Sequence, residues 1–85
     1  MANLIHSTAI ISETASIGEN VTIGAYTIVH ENVSIGDNTV IESFCELGVE
    51  NAFSDGLPLI IGKNSHIRSH SVFYAASTFG DNLVT

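Results

Sequence analysis

Large apolar residues recur at every sixth position of this chain: Ile5, Ile11, Ile17, Ile23, Val29, Ile35, Ile41, Leu47 and Phe53. With two residues added once, the series resumes at Ile61, Ile67, Phe73 and Phe79. Hydrophobic residues make up 45% of the sequence, so an unbroken column of this length arises by chance on the order of 10⁻⁵ of the time. Choice of frame and insertion point weakens that by about two powers of ten, and the period survives. Two residues before the anchors stand Ala9, Ala15, Val21, Thr27, Val33, Thr39, Cys45, Ser65, Ser71 and Ser77, all small or β-branched; Asn51, Leu59 and Leu83 depart from the rule. Strand alternation turns both columns inward. Six of the seven glycines follow an anchor directly: Gly18, Gly24, Gly36, Gly48, Gly62 and Gly80. Three residues after an anchor come Asn20, Asn32, Asn38, Asn64 and Asn82, and asparagine tolerates a left-handed backbone, so this column reads as a corner. A helix would scatter anchors of this period around its surface. Each hexad is therefore a short strand and a corner. None can bury its face alone, so coils must stack around one shared core as a parallel β-helix.

The motifs IHSTAI, ASIGEN, VTIGAY, VSIGDN and IIGKNS resemble the hexapeptide-repeat acyltransferases. The opening is most similar to UDP-N-acetylglucosamine acyltransferases and related sugar acetyltransferases, with Ser7 where proline is common. The resemblance implies an all-β fold, a left-handed parallel β-helix with three hexads per coil. The left hand comes from the resemblance alone, because the general rule for parallel crossovers gives the opposite. It also implies acetyl-CoA or acyl carrier protein as acyl donor, with no bound cofactor, and a sugar or nucleotide sugar as acceptor. The partner it implies is a second and third copy of the chain, a homotrimer with sites between subunits. Three hexads per coil would stack Ile5, Ile23, Ile41, Ile61 and Phe79 on one face. The next face would stack Ile11, Val29, Leu47 and Ile67, and the third Ile17, Ile35, Phe53 and Phe73, a little over four coils in all.

Two places break the pattern. Residues 54–60, SDGLPLI, hold the extra residues and the only proline, Pro58, and read as a loop leaving a corner. It is either an inert bulge or the wall of a substrate cleft. At the other break, Thr85 stands where the next anchor is due, and nothing nearby looks like the cap a solenoid end needs. Residues 1–85 are expected to be a single domain, the N-terminal part of a longer β-helix or one covered by another subunit.

Charge narrows the partners. Nine acidic residues face only Lys63 and Arg68, and a net charge of −7 argues against nucleic acid and anionic membranes. No apolar run approaches the ~18 residues of a membrane span, and no signal peptide is visible, so a cytoplasmic protein is expected. Cys45, the only cysteine, falls in an inward column and reads as an inert core thiol.

With eighteen residues per coil and two inserted after Phe53, Glu46 lies one coil below His66 on an outward face, with Arg68 on the same strand as His66. A carboxylate there would orient the imidazole as a general base, with Glu46 and His66 as the catalytic candidates. Lys63 and Arg68 suit the phosphates of CoA or a nucleotide sugar, and His70 and Tyr74 lie near enough to join them as binding residues. The bland alternative is a surface ion-pair ladder of small worth. His6 and His30 read as surface residues, and His66 and His70 point to a face and a corner rather than to one metal. In the resembling enzymes the catalytic histidine lies in a coil further along the chain. No histidine here matches it, so the chain alone is expected to transfer little, and a non-catalytic scaffold or oligomerisation module is the competing reading. Outward apolar stripes, Leu4, Val40 and Ile60 on one face and Ile10 and Ile28 on the next, point to self-association.

Overall fold

A computed structural model describes residues 3–50 and 56–85. Its strands, in chain order, are β1 (Leu4–Ile5), β2 (Ile10–Ile11), β3 (Ser16–Ile17), β4 (Thr22–Ile23), β5 (Ile28–Val29) and β6 (Val33–Ile35). There follow β7 (Val40–Ile41), β8 (Glu46–Val49), β9 (Leu59–Ile61), β10 (His66–Ile67), β11 (Val72–Tyr74) and β12 (Ser77–Phe79). They form three four-stranded parallel sheets, ordered β1-β4-β7-β10, β2-β5-β8-β11 and β3-β6-β9-β12. The chain visits the three in rotation, one strand per hexad. This is the left-handed parallel β-helix of hexapeptide repeats. Among the described residues no helix is long and apolar enough to cross a membrane.

Before the excursion the register is the one the repeat predicts. Ile5 pairs with Ile23 and Ile23 with Ile41, Ile11 with Val29 and Val29 with Leu47, and Ile17 with Ile35. Vertical neighbours are 18 residues apart there, as in the bond from the Cys45 amide to Thr27 Oγ1. Across it the spacing is 26, not the expected 20, and above it 18 again: the Ser65 amide donates to Thr39 Oγ1, and the Leu83 amide to Ser65 Oγ. Ile35 pairs with Ile61, Ile41 with Ile67 and Leu47 with Phe73. The extra residues thus include a whole further hexad, and every anchor after it is turned by one face of the prism. Ile61, not Phe53, stacks on Ile35; Phe53 itself lies outside the described residues. The loop expected at 54–60 is also redrawn at its end, since Leu59 and Ile60 belong to β9.

The inward columns make the core. Ile23, Val29, Ile35, Ile41, Leu47, Ile61 and Ile67 are buried, and Val21, Val33, Cys45 and Leu59 fill the space between them. Leu59, an exception to the small-residue column, is fully buried all the same. Thr27 and Thr39 are fully buried too, and each hydroxyl is satisfied twice. Thr27 donates to the Glu42 carbonyl and accepts from the Cys45 amide; Thr39 donates to the Gly62 carbonyl and accepts from the Ser65 amide. Ion-free polar pairing of this kind removes the desolvation cost of a buried hydroxyl. Towards the ends burial falls: Ile11, Ile17, Phe73 and Phe79 are half-buried and Ile5 is 41% exposed, each having a coil on one side only.

The asparagine column does turn the corners. Asn20, Asn32, Asn38, Asn64 and Asn82 all have φ between 58° and 65°. Tyr26, Phe44, His70 and Ala76 occupy the same column with the same conformation. Gly36 shows why glycine follows the anchor: a Cβ there would meet the backbone of Gly62 and Lys63 in the coil above at 2.6 Å.

Candidate functional site

Two histidine–carboxylate pairs stand on the outside of the prism. His66 opens β10, and Glu42 follows β7 in the coil beneath; His66 Nε2 lies 2.6 Å from Glu42 Oε2. The other carboxylate oxygen, Oε1, accepts from the Ser69 amide at 3.2 Å and from Ser69 Oγ at 3.1 Å. Glu42 is thus held at both oxygens. The hydrogen bond from His66 pushes its carboxyl below the ordinary carboxylate range, and the Ser69 amide adds to that against partial desolvation. A carboxylate at Nε2 favours the tautomer with the proton on that nitrogen, which leaves Nδ1 as the basic one. The imidazole is 46% exposed, so a substrate can reach it.

The second pair is His30, after β5, and Glu46, at the start of β8, with Nε2 to Oε2 at 2.7 Å. It lies in a cleft of about 580 Å³ whose walls include Ile10, Ile28, Glu31 and Glu50.

Both pairs obey one rule. The residue after an anchor reaches the residue before the anchor in the coil above, so partners are 16 apart before the excursion and 24 apart across it, two short of a coil in each case. Diagonal neighbours on adjacent strands lie within reach of long side chains.

The expected Glu46–His66 pairing is therefore corrected. Glu46 pairs across the sheet with Val72, and His66 with Val40 in a different sheet, because the longer excursion turns His66 onto the neighbouring face. The remaining candidates spread around it. Lys63 and Arg68 flank β10, the Lys63 amide donating to Asp81 Oδ1 and the Arg68 amide to Thr85 Oγ1. His70 sits at the next corner, stacked on Phe44 at 5.2 Å, which stacks on Tyr26 at 5.5 Å. Tyr74 ends β11 above Val49 on the face of Glu46 and is exposed. So His66, Lys63 and Arg68 share one strand and its flanks, while Glu46 and Tyr74 lie on the next face.

Sequence reasoning missed Glu42 and set His30 aside as a surface residue. The diagonal rule finds His30–Glu46 from the intact repeat alone; finding Glu42 needs the length of the excursion. Among the described residues no three His, Cys, Asp or Glu side chains gather as a metal site requires.

Residues 14–48 match the family model for bacterial transferase hexapeptide (six repeats). That stretch carries His30, Glu42 and Glu46 and stops short of the excursion and of His66. No curated protein matches the chain. The match covers 35 of the 85 residues, and its description names a transferase with neither donor nor acceptor.

Proposed function

We propose that this β-helix is an acyltransferase that moves an acetyl or acyl group from acyl-CoA or acyl carrier protein to a sugar or nucleotide sugar. The observation that carries the reading is the His66–Glu42 pair, an exposed imidazole whose carboxylate partner is fixed through both oxygens. His66 Nδ1 takes the proton from the acceptor hydroxyl or amine as that atom attacks the thioester carbonyl. The tetrahedral intermediate collapses, the C–S bond breaks, and the leaving thiolate recovers the proton from His66. Glu42 holds the ring and steadies the imidazolium in between. Lys63 and Arg68, on either side of β10, bind the phosphates of the donor or acceptor in this reading, with His70 at the following corner and Tyr74 on the next face as further binding residues. A cytoplasmic location suits a thioester donor.

Release of CoA from acetyl-CoA, followed by thiol titration with hydroxyl- and amine-bearing sugars as acceptors, tests this. His66→Gln should lower the acceptor-dependent rate by about 10²-fold or more, the scale of general-base catalysis. Glu42→Gln should lower it less and chiefly through kcat. Acceptor-dependent turnover that survives His66→Gln unchanged overturns the assignment of the base.

A second reading, a non-catalytic scaffold that assembles through its faces, draws on the exposed apolar side chains. Leu4, Ile10, Val72 and Tyr74 all stand open to solvent. Faces of that kind are covered by association, and the trimer belongs to both readings. Light scattering at micromolar concentration separates them only when combined with the rate assay: a trimer with no acyl transfer from any thioester favours the scaffold.

A further inference from the structure

We infer that Ser69 is a positioning residue for His66, acting through Glu42. The inference rests on the reading of His66 as the base and adds the group that aims it. Ser69 is the second residue after its anchor, Ile67, at the corner that follows β10. The equivalent residues at other corners use a side-chain oxygen to accept from the backbone amide one coil below. Asp37 accepts from Glu19, Ser43 from Ala25 and Asp81 from Lys63. Ser69 does otherwise. Its hydroxyl and its amide both donate to Glu42 Oε1, at 3.1 and 3.2 Å, while His66 Nε2 lies 2.6 Å from Oε2. Residues 66 and 69 of one coil therefore clasp the carboxylate of the coil beneath at its two oxygens.

What the clasp does follows from how loose its members would otherwise be. The Glu42 side chain is 39% exposed, and a glutamate that open samples several rotamers at little cost. Two donors on one oxygen of an ionised carboxylate make charge-assisted bonds, and they select the rotamer that presents the other oxygen to His66. Exposed ion pairs add little to stability. The consequence of the clasp is instead the direction of the ring, and with it the place of Nδ1, where the acceptor's proton is taken. The His30–Glu46 pair lacks this arrangement. There the carboxylate precedes its anchor and the histidine follows one, the reverse order, and among the described residues the Glu46 carboxylate is bonded to His30 alone.

The experiment records the imidazole ¹⁵N spectrum of His66 and acceptor-dependent CoA release in single and double variants of the whole chain. Ser69→Ala should shift Nε2 of His66 and lower kcat about three- to tenfold, the scale of one hydrogen bond, with KM for the acceptor kept. Ser69→Thr, which restores the hydroxyl, should recover both. In a Glu42→Ala background Ser69→Ala should add nothing further at His66, because the effect runs through the carboxylate. Ser71→Ala is the control for a merely structural role: it removes a hydroxyl that bonds the Arg68 carbonyl at the same corner, and His66 should not respond. A His66 ring unmoved by Ser69→Ala, moved as much in the Glu42→Ala background, or moved equally by Ser71→Ala overturns the positioning role and leaves the base standing. Turnover that survives His66→Gln sinks the base instead, and the spectra then decide by the same criteria whether Ser69 holds the ring.

Discussion

Ile35→Ala probes the core where the architecture makes its strongest demand. Ile35 is 2% exposed on β6, with Ile17 below it and Ile61 above. Truncation removes three carbons from a site closed on every side, and the coils cannot collapse into the gap because their spacing is fixed by the backbone ladder. Substitutions of this kind cost about 2–5 kcal/mol from lost transfer energy plus the cavity. A chain of 85 residues has a total stability of about 4–13 kcal/mol, so the change takes a large share of it. Ile5→Ala is the internal control. Ile5 is the same residue type in the same column, but it is 41% exposed and has a neighbouring coil on one side only. End coils of a solenoid also fray locally, so its cost should stay below about 1.5 kcal/mol. Urea denaturation followed by circular dichroism gives both numbers from the shift in midpoint at unchanged slope. A loss below ~0.5 kcal/mol at Ile35, or equal losses at the two sites, would refute the stacking of Ile17, Ile35 and Ile61.

Other expectations follow from the corners and the site. Gly36→Ala should destabilise by about 1–3 kcal/mol, because its Cβ meets backbone atoms of the next coil, while Gly80→Ala, with open space around it, should be nearly neutral in the same melts. Glu42 is held ionised in the folded chain by His66 and Ser69, so its contribution to stability is present above its ordinary value of 4.5 and is lost as pH falls through the lower folded value. Glu42→Gln should accordingly flatten the acid limb of the stability–pH curve, and an unchanged limb would count against the pair. Burial pushes the Cys45 thiol up, so it should react with a disulfide reagent only at the rate of unfolding; a fast reaction in native buffer would contradict its place in the core.

The fold was legible because its signal is repeated. Each column is read many times over, so one exception, such as Leu59 among the small residues, does not disturb the others. The left-handed corners were legible only where asparagine marks them. At Tyr26, Phe44 and His70 the backbone is the same, but the residue type hides it, and stacking of the three rings offsets part of the strain. The site was less legible because it depends on one number that no repeat encodes, the length of the excursion between β8 and β9. Phe53 fits the apolar period by its identity, and counting it as an anchor places Glu46 beneath His66. Counting it inside the excursion places Val40 there and brings Glu42 within reach. A single apolar residue in phase cannot distinguish these, because either choice leaves the other columns intact. The His30–Glu46 pair lies wholly before the excursion and was within reach of the sequence. Comparing residues directly above one another hides it, because the contacts run diagonally.

The most direct test is the imidazole ¹⁵N spectrum of His66 and His30 in Glu42→Gln and Glu46→Gln. Removing the carboxylate at 42 should move the ring nitrogens of His66 and leave those of His30 in place, and removing the one at 46 should do the reverse. If His66 instead answers to Glu46→Gln and ignores Glu42→Gln, the coil above the excursion is rotated by one face, and the proposed base has the wrong partner.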